Sequence, residues 1–380
     1  MKVNFVLPSV SSRQSGSAGT LIVYEYANRF AKKGHEVSIV PLKFEGMPQV
    51  EARIEYNDKN IVKFKLKNYT TRAINKITKA NRKITLDSFL SDRFDEVSNA
   101  ISNMPECDVN IATAYQTALP VYLSAKGLPF YFIQHFEEYF TMDSPFSDVS
   151  LMDASLTYNL PMYKITNSSW VSREILSKYP NQQITGMVNN ALDTNLFYPR
   201  KTGKNERIRV LTHSGRKKEW KGFIDAVNAM KLLRSKYPNV DWWVFGDEGL
   251  VPPVNDIASY NSYGFVKHTD LPEIYSTADI LLCPSWYESF PMPPIEAMAC
   301  GTAVITTPFG AEDYTEDGQN CLIVPPRNPN KMAEAVIRLI ENEELRNKLA
   351  EEGIKTARRF TWERSVNQFE EILKKTLGTK

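Results

Sequence analysis

The chain has 380 residues, 42% of them hydrophobic and 24% charged, enough for two globular domains of ordinary size and the make-up of a soluble protein. Its 46 basic and 44 acidic side chains leave a formal charge of +2, too small for a nucleic-acid binder. The cysteines (Cys107, Cys283, Cys300, Cys321) form no C-x-x-C pair, and no apolar run approaches the roughly 18 residues that span a bilayer, so buried thiols in a reducing compartment are expected rather than a disulfide framework or a membrane anchor.

The opening Met1–Pro8 is broken too early by proline for a signal peptide and reads as a first strand over Lys2–Leu7. A Ser/Gly loop, Ser9–Gly19, then leads into a helix over Thr20–Lys33 that Gly34 caps. Within that loop Gly16 and Gly19 permit close backbone approach to a phosphate, although no G-x-G-x-x-G dinucleotide fingerprint is formed. Between Ile61 and Lys83 stand eight Lys/Arg residues and no acidic one, a stretch that suits either an anionic membrane surface or acceptor, or a solvated helix face. Further strands are predicted at His35–Pro41, Val109–Ala114, Phe130–Gln134 and Tyr163–Asn167 with helical stretches between them. The strand Phe132-Ile-Gln-His135 ends in a histidine, and the following Glu137-Glu138 read as pocket-shaping or solvated.

Polar sequence around Asn181–Asn205 reads as a connection, after which the alternation resumes. Ile208–His213, a helix near Phe223–Tyr237, then Trp242–Gly246, Ser262–Phe265, Ile280–Pro284, Val304–Thr306 and Leu322–Val324 follow. Strand–helix alternation of this kind argues for parallel, doubly wound α/β sheets. Ser214-Gly-Arg-Lys-Lys-Glu-Trp-Lys-Gly222 joins a strand to a helix and brings Arg216 and Lys221 to its turn. In Glu288-Ser-Phe-Pro-Met-Pro-Pro-Ile-Glu296 three prolines forbid a continuous helix. The pattern therefore predicts Glu288 on a loop, Pro294 as the first helical residue, Glu296 in the first turn and a stop at Gly301. Two carboxylates beside free helix N–H groups suit a hydroxyl-rich anionic ligand, while a first-turn glutamate also simply complements the helix dipole.

Residues 278–324 taken together resemble the carboxyl-terminal signature of retaining GT-B glycosyltransferases, glycosyltransferase family 4 (glycosyl transferases group 1) in particular. The resemblance rests on Glu288-x7-Glu296, on Glu296-Ala-Met-Ala-Cys-Gly301, and on Glu312 through Asp317-Gly318 into Leu322-Ile-Val324. It implies the GT-B architecture, two Rossmann-like doubly wound domains facing across a cleft. Residues 1–185 would form the acceptor side and 186–360 the nucleotide-sugar side, with the helical segment 361–380 packing back on the first domain. Asn190-Ala-Leu-Asp193 with Phe197-Tyr-Pro199 resembles the family's domain-entry segment, with Ala191 in place of its glycine.

By the same resemblance Arg216 and Lys221 would grip the donor diphosphate, since fixed cations stabilise the charge that grows on a departing phosphate. Glu296 would bind ribose hydroxyls, and Glu288 with the backbone of Phe290, Pro291 and Met292 would hold the sugar, Pro291 lacking the N–H of the usual glycine. Gly246 and Phe265 would border the base, Gly16 and Gly19 the phosphate side, and His135 would reach the donor sugar from the other domain. The catalytic set is then His135, Glu288, Arg216 and Lys221. No Asp-x-Asp occurs and the four histidines are scattered in sequence, so neither metal nor other cofactor is expected. The donor is a UDP-, GDP- or dTDP-linked sugar, and the acceptor a glycan, glycolipid or other lipid-linked cell-envelope hydroxyl. The protein is expected in the cytoplasm, with peripheral contact to the inner face of the plasma membrane through 61–83. A nucleotide-sugar epimerase on the same fold and a nucleotide-sugar-binding protein without transfer activity are the competing readings.

Overall fold

The computed structural model describes residues 1–11, 18–45, 63–64, 86–143, 147–200, 207–215, 218–246 and 260–378. Two of the candidate site residues, Gly16 and Arg216, and nearly all of the basic stretch 61–83 lie outside them. The chain divides into two compact units, one of residues 1–167, 171–188 and 366–380 and the other of 168–170 and 189–365.

The first unit is built on a parallel sheet of seven strands: β1 (Lys2–Ser11), β2 (Glu36–Glu45), β3 (Lys63–Phe64), β4 (Val109–Ala112), β5 (Leu128–Ile133), β6 (Tyr163–Thr166) and β7 (Ile184–Met187). Their spatial order is β3-β2-β1-β4-β5-β6-β7. Crossover helices α1 (Ala18–Lys32), α2 (Leu86–Asn103), α3 (Tyr115–Leu123), α4 (Ser147–Tyr158) and α5 (Ser169–Lys178) connect them. Strands covered on both faces are mainly apolar, and β4 is buried along its whole length, its one polar residue Asn110 donating to Ser124 Oγ at 3.1 Å. Helix α1 starts at Ala18, so Gly19 is its second residue and not part of the loop expected there.

The second unit repeats the plan with β8 (Arg209–His213), β9 (Asp241–Phe245), β10 (Asn261–Gly264), β11 (Ile280–Leu282), β12 (Ala303–Thr306) and β13 (Leu322–Ile323). The order is β10-β9-β8-β11-β12-β13, again all parallel. Helices α6 (Phe223–Lys236), α7 (Leu271–Thr277), α8 (Met292–Ala299), α9 (Pro329–Glu341) and α10 (Glu343–Ala357) complete it. One side of this sheet packs Trp242, Val244 and Ile280 against Met230 and Leu233 of α6 and Val336 and Leu339 of α9. The other packs Leu211, Leu281 and Val304 against Ile295 and Met298 of α8.

The last helix, α11 (Trp362–Gly378), begins in the second unit and from residue 366 belongs to the first. Phe369 is fully buried there, its ring within 5.0–6.4 Å of Tyr26, Phe132, Phe30 and Phe5. His35 Nε2 meets Glu370 Oε1 at 2.9 Å on the same helix, and Lys33 pairs with that carboxylate. Strand β7 lies inside the stretch read above as a polar connection. Its Gly186 gives room to the same helix, because a Cβ there would sit 2.5 Å from Ile372 Cδ1.

Candidate functional site

Both sheets reverse their strand order next to their first strand, and an open parallel sheet binds ligands outside the strand C-termini at that switch point. In the second unit the switch lies between β8 and β11, so the loops after those strands, 214–222 and 283–291, flank it. The first carries Lys221 and the second Glu288, and the two side chains form an ion pair. Ser285 Oγ donates to the same Glu288 Oε1 at 3.0 Å, and no described residue donates to Oε2. Glu288 is buried, so its charge is held by these two groups rather than by water.

Glycines set how closely these loops approach. Gly222, at φ 65°, lies so near β11's exit that a Cβ would meet Pro284 O at 2.0 Å. Gly215, at φ 73°, leaves room for Lys221 Cβ, and Gly310, at φ 82°, lies against the carbonyl of Glu288. Any side chain at these positions would move the lysine or the carboxylate.

The carboxylate pair departs from expectation in one respect. Helix α8 begins at Met292 with Pro291 as its N-cap, two residues before Pro294. Prolines 293 and 294 sit in its first turn, where a missing N–H costs nothing. Glu296 is consequently the fifth helical residue and not a first-turn one. It is buried, accepts a 2.9 Å hydrogen bond from Tyr275 at Oε2, and has His268 Nε2 3.7 Å from Oε1. Burial and the neighbouring Glu296 push the Tyr275 hydroxyl well above its ordinary pKa, which keeps it a donor. Tyr275 and His268 escape sequence reading because each reaches Glu296 from a separate segment, while Ser285 lies in the Glu288 loop itself and only the fold of that loop turns it onto the carboxylate.

Other candidates divide between backbone and side-chain contributions. Phe290 is buried against Tyr314 and Phe360, so its ring belongs to the core. Pro291 accepts a 2.7 Å bond from Tyr314 through its carbonyl, and Met292 is half-buried. Gly246, at φ 145°, ends β9 beside Ser214, while Phe265 just beyond β10 is 48% exposed. In the first unit His135 follows β5, exposed, its ring 4.9 Å from that of Phe140. Gly19 faces the Gln134 side chain. Glu137 and Glu138 are buried and not solvated: Tyr131 and the Tyr115 N–H donate to Glu137, and Lys178 and Tyr179 to Glu138. Among the described residues no group of three or more His, Cys, Asp or Glu side chains is arranged to hold a metal, and no helix is long and apolar enough to cross a membrane.

Two doubly wound units of this order in one chain define the GT-B fold. Residues 195–356 match the family described as glycosyl transferases group 1. The chain is 26% identical over 288 residues to the O-antigen biosynthesis protein RfbC of Myxococcus xanthus, covering 73% of this chain and 21% of that protein. It spans less than two thirds of the length of the curated relatives it matches. Sucrose-phosphate synthase from Thermosynechococcus elongatus superposes with a TM-score of 0.75 at 15% identity over 100% of both chains. Anabaena HepE, solved in complex with UDP-glucose, superposes with 0.67 at 16% identity, also over 100% of each.

Proposed function

We propose that this chain is a retaining glycosyltransferase of family 4 that moves a sugar from a nucleotide-diphosphate donor to a hydroxyl of a glycan, glycolipid or other cell-envelope acceptor, without a metal. The observation that carries the reading is the meeting of Lys221 and Glu288 at the switch point of the second sheet, one helical segment from the buried Glu296. The group 1 match over 195–356 covers those residues, and a neighbour of the same fold was solved with UDP-glucose.

In this reading Glu296, held by Tyr275, accepts from the ribose hydroxyls. Glu288 Oε2 accepts from the donor sugar. Lys221 keeps one N–H on Glu288 and turns the others to the diphosphate, where Arg216 joins it; an ammonium has three donors and can serve both. Their charge stabilises the departing nucleoside diphosphate. A leaving phosphate oxygen then takes the acceptor's proton on the face of departure, which preserves the anomeric configuration. Glu288 and Glu296 act as hydroxyl acceptors, not as the acid and nucleophile of a glycosidase.

A thermal-shift and calorimetric panel of UDP-, GDP- and dTDP-sugars, with and without EDTA, tests this. Stabilisation by one nucleotide class that survives EDTA and is lost in Arg216→Ala and Glu296→Ala is the expected result. Absence of any nucleotide-dependent stabilisation would sink the proposal. The anomeric configuration of the product, read by NMR, tests retention separately.

A further inference from the structure

The same edge of the second unit carries aromatic and basic side chains that the donor reading does not use. Trp220 precedes Lys221, and Trp286-Tyr287 precede Glu288. The planes of Trp220 and Tyr287 lie 13° from parallel with ring centres 6.4 Å apart. Trp286 is anchored twice: its backbone N–H donates to Trp220 O, and its indole N–H to Asp225 Oδ2, each at 2.6 Å. The Arg327 guanidinium stands 3.8 Å from the Trp286 ring centre, and Lys218 Nζ 5.3 Å from that of Trp220. All three rings are half-buried, and Arg327 is exposed.

Among the described residues, Trp286 is fixed by its two hydrogen bonds, and Arg327 by its stack on the Trp286 face alone. Arg327 holds φ 55°, one of two non-glycine residues on the left-handed side among those described, a backbone state that is strained for a side chain. A glycine would occupy that backbone without cost. No carboxylate among the described residues pairs with the guanidinium, so the strain is not repaid by an ion pair. What it achieves is a cation laid on the Trp286 ring and within electrostatic reach of Tyr287, its fork of donors taken up by no described carboxylate.

We propose that Trp220, Trp286, Tyr287, Lys218 and Arg327 form a second saccharide subsite, which takes a sugar ring bearing a phosphate or a carboxylate. Rigid aromatic faces cover the C–H face of a sugar at low entropic cost. The guanidinium matches either anion with two parallel hydrogen bonds, a geometry a neutral sugar cannot use. The proposal deepens the transferase reading, on which it rests for one point: that the bound saccharide is an outlying unit of the acceptor, whose reacting hydroxyl belongs to the acceptor side expected of residues 1–185.

The test is saturation-transfer NMR and calorimetry on the full chain with glucose 6-phosphate, a hyaluronan tetrasaccharide and neutral maltotetraose. One or both charged probes are expected to bind, and whichever binds names the anion. Maltotetraose should bind at least about tenfold more weakly, and Arg327→Gln should lower charged-probe affinity about tenfold. Arg327→Lys should restore part of it, and stabilisation by nucleotide sugars should be unchanged in both variants. Equal affinity for neutral and charged probes, no binding of either charged probe at millimolar concentration, or an Arg327→Gln protein that binds like wild type would overturn the subsite. Arg327-dependent binding without any nucleotide-sugar stabilisation would remove the transferase reading and leave the subsite standing. The reverse pattern would remove the subsite alone.

Discussion

Replacing Gly310 with alanine tests how tightly the Glu288 loop is held. Gly310 sits at φ 82°, and a Cβ built on it would lie 2.0 Å from Glu288 O and 2.6 Å from the same carbonyl carbon. Gly318, thirty residues after Glu288, has a similar φ of 70° but nothing within 4 Å of the corresponding Cβ. Backbone strain alone costs an alanine about 1–2 kcal/mol at either position. At Gly310 the backbone must also be forced aside, which adds about 1–3 kcal/mol. Gly318→Ala is therefore expected to lose about 1–2 kcal/mol and Gly310→Ala about 2–5 kcal/mol, read from urea denaturation. The two should also differ in ligand binding. Relieving the contact needs a shift of about 1 Å in the Glu288 loop, a misplacement that can cost about 10²-fold at a positioned site. Calorimetry with the stabilising nucleotide sugar should accordingly show a large loss in Gly310→Ala and little change in Gly318→Ala. If both variants lose the same stability and bind alike, the close approach of Gly310 is not what positions the carboxylate.

Three further outcomes are expected. Phe369→Ala should destabilise the first unit by about 3–5 kcal/mol in urea, because the ring fills a seat among four aromatic side chains; a loss well under 1 kcal/mol, against that scale, would mean the last helix is not part of that core. Burial pushes Glu137 up from 4.5 to about 8, against the opposing bonds from Tyr131 and the Tyr115 N–H. A carboxyl raised on folding stabilises most below its unfolded value, so the first unit should weaken as the pH rises from 4.5 to about 8. Glu137→Gln should flatten that slope in urea midpoints, and an unchanged slope would refute the assignment. Tyr275→Phe removes the donor to Glu296 and should cost about 1–3 kcal/mol, with nucleotide-sugar affinity falling several-fold; loss of stability with affinity intact would place Glu296 outside the donor site.

The alternation of strands and helices was readable because strands buried on both faces leave short, largely apolar runs, unbroken at Ile280–Leu282 and interrupted only by Asn110 at Val109–Ala112. Strand β7 was not, because Ile184-Thr-Gly-Met187 is short, half-exposed and carries a glycine whose purpose is a distant isoleucine. The start of α8 was misjudged by two residues: consecutive prolines fit anywhere in a first turn, so they mark a helix entrance without fixing its first residue. Of the site, the spacing from Glu288 to Glu296 and the Lys221 turn were visible. Their partners Tyr275 and His268 were not, since contacts between segments leave no local pattern, and Ser285, three residues before Glu288, has a local position that no helix or strand period singles out. Glu137 and Glu138 show the same limit, for nothing nearby in sequence announces the tyrosines and lysine that accompany them inside.

The seat of Phe369 has a consequence for synthesis. Phe5, Tyr26, Phe30 and Phe132 leave the ribosome early, but the ring that closes over them is encoded 181 residues after Val188, the last of the first unit's main segment. At about 5–20 residues per second that gap is on the order of 10–40 s, during which an aromatic hollow stays open on a nascent chain. The second unit, apart from a three-residue outlier, is drawn from one continuous stretch and can finish before the first does. The half made first is thus the half completed last, and a nonsense codon anywhere between residues 189 and 369 would leave the first unit without the ring that closes its core.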